Sequence, residues 1–187
     1  YGFYMQDNAA AALHEGLYVY LGTSQMAGYN PAFLDERSIG ERVMVTALVD
    51  EYYDLTELNL RTTSNPSITR LSTGNTLTPL LTTTGAIGTA CTASGEAHEG
   101  ILVALQSVTI SSEPNSYGEI AIDDGSGETQ LEDSILNTDD HLQSELGATL
   151  TGQTLASVTG VVRYAHGSFE VHPRDASDIV VSVSGPT

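Results

Sequence analysis

The feature that most restricts this chain is a repeat of itself. Tyr1-Gly-Phe-Tyr-Met-Gln-Asp-Asn8 aligns with Tyr117-Gly-Glu-Ile-Ala-Ile-Asp-Asp124 at an offset of 116. Gly40 aligns with Gly152 at 112, and both Val45–Val49 with Val158–Val162 and Glu57-Leu58 with Glu170-Val171 at 113. Each match is weak alone. Three blocks in the same order at a nearly constant offset imply a tandem duplication, in which one supersecondary unit occurs twice. The 187 residues leave room for two small domains.

Each unit reads as mostly β. Val43 to Val49 and Leu155 to Val162 are rich in β-branched residues, and each is followed by a second strand after a short turn, near Tyr53-Asp54 and His166-Gly167. Gly100 to Ile110 is another strand, with Val103, Leu105 and Val108 apolar. Tyr117 to Ile122 leads through Asp123-Asp-Gly-Ser-Gly127 into a strand at Glu128–Leu131, and that Asp-Gly pair favours the positive φ of a tight hairpin. Asp139 to Leu146 predicts a short helix, with acids at its start, Leu142 and Leu146 one turn apart, and Gly147 after it. Ala32 to Ser38 is its weaker counterpart in the first unit.

Three strands, a short helix and two strands is the order of a five-stranded OB-type barrel. The expected fold class is therefore all-β: two tandem OB-type five-stranded barrels, at 1–78 and 96–187, joined by a Thr/Gly-rich linker at 79–95. The strand Gly100–Ile110 precedes Tyr117, whereas nothing here precedes Tyr1. The first barrel is thus expected to lack its first strand within this chain. A barrel short of one strand has open edges and an uncovered apolar stripe, which upstream residues or another molecule must complete. Tyr1, Phe3, Met5 and Asp7 mark that edge, and Ile179–Val183 or Thr76–Thr84 of a neighbour are candidate donors.

The run YGFYMQDN…EGLYVYLG…IGERVMVTALVDEYYDLTEL resembles the OB-like domains beside the catalytic domain of secreted bacterial nucleases. GEAHEGILVALQSVTI…NSYGEIAIDDGSGETQLEDSIL is similar to a second OB-type module of the same extracellular proteins. The likeness rests on turns, glycines and strand alternation. It implies fold and an extracellular or cell-surface setting through bacterial secretion, and it carries over no catalytic residue.

Charge then narrows the function. There are 24 acidic residues against 6 basic ones, all Arg, for a net −18. Residues 1–80 hold 9 acids and 4 Arg, and the remainder 15 acids and 2 Arg. Such a field repels phosphate, so nucleic acid is not expected as a partner. Without a run of about 18 apolar residues, no membrane insertion is expected. A single cysteine, Cys91, leaves no internal disulfide.

Few clusters point to chemistry. Asp123, Asp124 and Glu128 are a weak candidate for metal, but their spacing does not fit an EF-hand and a solvated hairpin turn accounts for them. Asp50, Glu51, Asp54 and Glu57 read as a solvated turn. His14, His98, His141, His166 and His172 are scattered, although His166 and His172 share a hairpin at an even spacing. Tyr4, Tyr18, Tyr20, Tyr52 and Tyr53 are candidate ligand or interface aromatics, because OB barrels stack bases on their second and third strands and because tyrosines favour protein interfaces. No nucleophile elbow, phosphate loop or zinc-protease motif occurs. The expected function is a non-catalytic extracellular structural protein, without cofactors, whose OB-like domains associate with copies of themselves, growing into a filament by strand complementation. The rival is a nucleic-acid-binding accessory region of a secreted nuclease.

Overall fold

A computed structural model describes residues 2–22, 37–61, 64–132, 134–136 and 138–182. Tyr1, Val183 and most of Ala32–Ser38 lie outside the described residues. In chain order the elements are β1 (Gly2–Gln6), β2 (Gly16–Tyr20), β3 (Arg42–Thr46), β4 (Leu48–Tyr52), β5 (Leu55–Asn59), β6 (Ser67–Ser72) and β7 (Leu80–Leu81). There follow α1 (Thr84–Ile87), α2 (Ala93–His98), β8 (Leu102–Ile110), β9 (Ile120–Asp123), β10 (Glu128–Leu131), α3 (Thr138–Leu146), β11 (Thr154–Ala165), β12 (Ser168–His172), a 3-10 turn at Ala176–Asp178 and β13 (Ile179–Val181).

The second half closes on itself. β8 pairs with β9, β9 with β10, β10 in parallel with β12, β12 with β11, and β11 returns to β8 along Thr154–Val161. The result is a closed five-stranded barrel with α3 between its third and fourth strands. Val103, Leu105, Val108, Ile110, Ile120, Ile122, Leu131, Leu155, Val158, Val162, Phe169 and Val171 fill its core. In β8 the buried positions change parity between Leu105 and Val108, and Ser107 sits between them at φ 54°. That residue turns the strand over, so one long strand can line two sides of the barrel.

Among the described residues the first half repeats the order without closing. β1 pairs with β2, β2 in parallel with β5, and β5 with β4. This is the sequence and sense of β9, β10, β12 and β11. The ladders agree residue by residue: Tyr18 faces Glu57 as Gln130 faces Glu170, and Val49 faces Leu58 as Val162 faces Val171. At β1, Phe3 faces Val19 as Ile120 faces Leu131, so the offset there is 117 rather than the aligned 116.

Val43–Val49, expected as one strand, is two. It breaks at Ala47, and β3 pairs instead with β6 in a separate hairpin. The position equivalent to Ala47 in β11 is Gly160, where a Cβ would meet Val171 Cγ1 at 2.7 Å and the His172 carbonyl carbon at 2.8 Å. Glycine lets β11 bend over β12 unbroken, and alanine does not.

Residues 79–95, expected as a linker, are structured. Leu80–Leu81 pairs in parallel with Val103–Ala104, Thr83 and Thr92 cap α1 and α2, and Ile87 is fully buried in the barrel core. The two expected strand donors are also engaged within the chain. β13 pairs with β11 from Leu155 to Val158, and within Thr76–Thr84, Thr78 bridges to Ala10 while Leu80–Leu81 form β7. Contact between the halves is close: a Cβ on Gly16 would lie 2.3 Å from the Glu99 carbonyl oxygen, and one on Gly100 (φ +74°) 2.6 Å from the Leu17 nitrogen.

Candidate functional site

Among the described residues β1 lies at the edge of its sheet. The Asp7 N–H donates to the Glu15 carbonyl at 3.1 Å, and the alternation of an antiparallel ladder then turns the peptide groups of Phe3 and Met5 toward β2. The N–H and C=O groups of Gly2, Tyr4 and Gln6 face outward. Beside them is a cavity of about 930 Å³, walled by β1, by residues 37–44 and by Leu102, Val161 and His172 of the barrel. Ile39, Met44, Leu71 and Ile135 line it, each at least half exposed. Phe3 and Met5, expected edge residues, are half-buried in its wall, and Asp7 is exposed at its end. In the barrel, the corresponding position between β9 and β11 is filled by β8.

The slot also gathers charge that the sequence showed only as scattered arginines. Arg37, Arg42, Arg163 and Arg174, four of the six, line it, against the acids Asp7 and Glu41. Arg37 pairs with Glu41 at 3.2 Å, and Arg174 grips Asp178 through two hydrogen bonds of 2.7 and 2.8 Å. Distance along the chain, 37 to 174, hid this grouping.

The five tyrosines do not form one platform. Tyr4 and Tyr18 face each other across the β1–β2 ladder with ring centroids 5.0 Å apart, and Tyr20 lies two residues further on. Burial lifts the Tyr4 and Tyr18 hydroxyl pKa values above the usual phenol range, with Arg163 opposing. Tyr52 and Tyr53 form a separate edge-to-face pair, 4.7 Å apart, at the exposed β4–β5 tip.

The expected solvated carboxylates divide in two. Asp50, Glu51 and Asp54 are exposed, but Glu57 is buried, accepts from Asn59 Nδ2 at 3.1 Å and is driven upward in pKa by desolvation and by Asp50. The Asp123–Glu128 hairpin spends its carboxylates on the protein. Asp123 accepts from the Gly125 and Gly127 amides, Asp124 from Thr84 Oγ1 at 2.8 Å and the Ser126 amide at 3.0 Å, and Glu128 from Ser111 Oγ at 2.7 Å. Burial alone would raise the Asp124 pKa, but those hydrogen bonds outweigh it and hold it low. The hairpin thereby clamps α1. Cys91 is exposed and its thiol donates to Glu96 at 2.9 Å, which pushes the pKa to about 11.

The histidines separate by burial. His98 is buried between Thr82 Oγ1 and the Ser94 carbonyl. His14 and His166 sit in exposed turns at positive φ, and His141 is half-buried on α3. His172 is buried outside the barrel core, with Nδ1 3.0 Å from Glu132 Oε2 and Nε2 3.3 Å from Glu170 Oε2. Burial disfavours its charge, yet the two carboxylates overcome that and raise its pKa. Glu132 is pushed up by burial but pulled down to about 2 by His172 and Ser134. Glu170 instead rises, because desolvation exceeds the help of His172. In the sequence, Glu170 and His172 appear only as polar residues alternating with Phe169 and Val171.

Among the described residues no helix is long and apolar enough to cross a membrane. No curated protein matches the chain. Residues 92–184, from the cap of α2 to just past β13, match the family model described as Domain of unknown function (DUF8508).

Proposed function

We propose that this is a non-catalytic, extracellular structural protein built of two OB-type units, and that it assembles with copies of itself by strand complementation. The observation that carries the reading is the outward edge of β1 beside an apolar-lined slot of about 930 Å³. The shared strand order of the two halves supports treating the slot as the counterpart of the seat that β8 fills in the barrel.

The occupant is the β4 edge of a second copy. Among the described residues β4 is the opposite edge of the same sheet, with Val49 and Tyr52 exposed and Asp50, Glu51 and Asp54 acidic. Its acids meet a slot carrying four of six arginines, in a chain of net −18. Joining β4 to the next molecule's β1 is head-to-tail, and such contacts grow into a filament when they do not close.

Light scattering after size exclusion, with electron microscopy of the same fractions, tests this. The wild type should polymerise as concentration rises. Gln6→Pro deletes one outward N–H, together with the bond from the Leu102 N–H to Gln6 Oε1, but leaves the β2 ladder intact; it should hold the protein monomeric, with circular dichroism still that of the folded chain. Glu51→Arg should weaken assembly by placing positive charge against the slot. A wild type that stays monomeric at high concentration refutes the reading.

The accessory nucleic-acid reading has one observation in its favour, the four slot arginines beside Tyr4 and Tyr18. With −18 overall, single-stranded DNA should bind weakly or undetectably at physiological salt. Sub-micromolar binding with a steep salt slope, weakened by Tyr18→Ala, would replace the structural reading by this one.

A further inference from the structure

On the barrel wall, three donors from three separate elements converge. Glu119 precedes β9, His166 is the turn residue between β11 and β12, and Glu170 is on β12. One ligand atom from each lies within 4.8 Å of the others. Glu119 Oε1 is 3.9 Å from His166 Nδ1.

The surroundings hold each donor in an orientation suited to a shared ligand. Asn115 Nδ2 donates to Glu119 Oε2 at 2.6 Å, and the Glu119 N–H returns to Asn115 Oδ1 at 3.1 Å, which leaves Oε1 toward His166. The imidazole of His166 stacks on Tyr117, with centroids 6.2 Å apart and planes 20° apart. Glu170 has its Oε2 against His172 Nε2, and His172 is itself braced by Glu132 and Ser134. Support of metal ligands by such outer partners is the usual arrangement of built metal sites.

The independent observation is Glu170 itself. It is 1% exposed, and its Oε1 has no hydrogen-bond partner. A buried, unsatisfied carboxylate oxygen is costly unless something positive meets it. Glu119 and Glu132 nearby add negative charge, and His172, which opposes them, meets Oε2 and leaves Oε1 unpartnered.

We infer that Glu119, His166 and Glu170 bind one divalent transition-metal cation of the zinc class. Imidazole nitrogen with two carboxylate oxygens suits such an ion better than magnesium or calcium, which take oxygen alone. Donors about 2.1 Å from a tetrahedral zinc stand roughly 3.4 Å from one another, so a side-chain adjustment of about 1 Å closes the present cluster. Three protein ligands leave the fourth position to water. The ion would tie the start of β9 to the β11–β12 turn, making the site structural.

The test uses the tag-free chain, stripped with EDTA and titrated with zinc chloride by calorimetry. One saturable site is expected, along with a higher melting temperature on zinc addition and a much weaker response to magnesium chloride. His166→Ala and Glu119→Gln should each raise the dissociation constant at least about tenfold, since even outer-shell changes cost ~10–100-fold. His141→Ala should leave it unchanged. Absence of saturable zinc binding, or equal binding by wild type and His166→Ala, overturns the inference. Should a variant fold poorly, the wild type still decides the matter: zinc must shift the His166 imidazole resonances, and their staying in place overturns the assignment.

Discussion

Replacing Glu99 by Gln isolates the electrostatic cost of bringing the two halves together. Glu99 caps α2 at the junction and is 8% exposed. Its Oε2 receives only a long hydrogen bond from the Thr56 N–H, 3.4 Å, and its Oε1 receives none. Burial, with Glu96 and Glu51 adding to it and the Thr56 and Tyr164 backbone groups opposing, pushes the carboxyl to about 7, from an ordinary 4.5. Folding therefore favours the protonated form. The corresponding stability is fully present below pH 4.5 and is lost as the pH rises through 7. The difference of about 2.5 pH units corresponds to ~3 kcal/mol at most. Glutamine keeps the shape and cannot ionise, so the variant should match the wild type near pH 4.5 and exceed it by about 2 kcal/mol at pH 8. For a chain of this size that is a gain of roughly 4–8 °C in melting temperature. Thermal unfolding followed by circular dichroism at pH 4.5, 6 and 8 measures it, and taking variant minus wild type removes the pH response of the other carboxylates. A difference that stays constant with pH, or a wild type more stable at pH 8, refutes the reasoning.

Two further outcomes follow from packing. Gly100→Ala adds a Cβ 2.6 Å from the Leu17 nitrogen at φ +74°, and should cost about 2–4 kcal/mol from strain and overpacking; Gly125→Ala, at φ +96° with nothing within 4 Å, should cost only about 1, and equal losses in denaturant titrations would refute the argument. Among the described residues only Val19 and Leu55 of the first half are buried apolar side chains; a fragment of residues 79–187 should therefore unfold cooperatively by itself, while 1–78 alone should show no dispersed amide spectrum, and a folded 1–78 fragment would show that its slot needs no occupant.

The strand pattern of the barrel was legible because its residues satisfy local and tertiary demands together. Ile120-Ala-Ile, the Asp-Gly turn and Thr129–Leu131 alternate or turn as a buried hairpin must, and the helix at Thr138–Leu146 has its acids at the amino end. Even Ser107 left a trace, in the shift of apolar parity from Leu105 to Val108. The Thr-rich stretch 79–95 misled because its order comes from capping hydroxyls, a two-residue ladder at Leu80–Leu81 and the burial of Ile87, and Thr and Ser otherwise signal loops. The division of Val43–Val49 was hidden because Ala47 and Gly160 differ by a single methyl group. The slot arginines and the Glu119–His166–Glu170 cluster could not be read in advance, since both depend on which distant residues the barrel brings side by side. Only the even spacing of His166 and His172 hinted at the second, and it pointed to the wrong partner: His166 lies in the turn, and Glu170 is the residue that joins both.

The seam between β8 and β11 sets how this barrel comes together in time. Thr109 meets Thr154 and Leu102 meets Val161 there, residues roughly fifty apart in the chain, whereas the β9–β10 and β11–β12 hairpins close locally. Hairpins form in microseconds, but the seam cannot gain its contacts until the loop between its strands has given up its freedom. Refolding should accordingly be limited by zipping β8 to β11, and slowed to the millisecond-to-second range of non-local β topologies. Because that ladder completes the closed sheet, opening it exposes the whole core at once. Its amide protons are then the ones that exchange with solvent only through global unfolding, and they report the stability of the entire molecule.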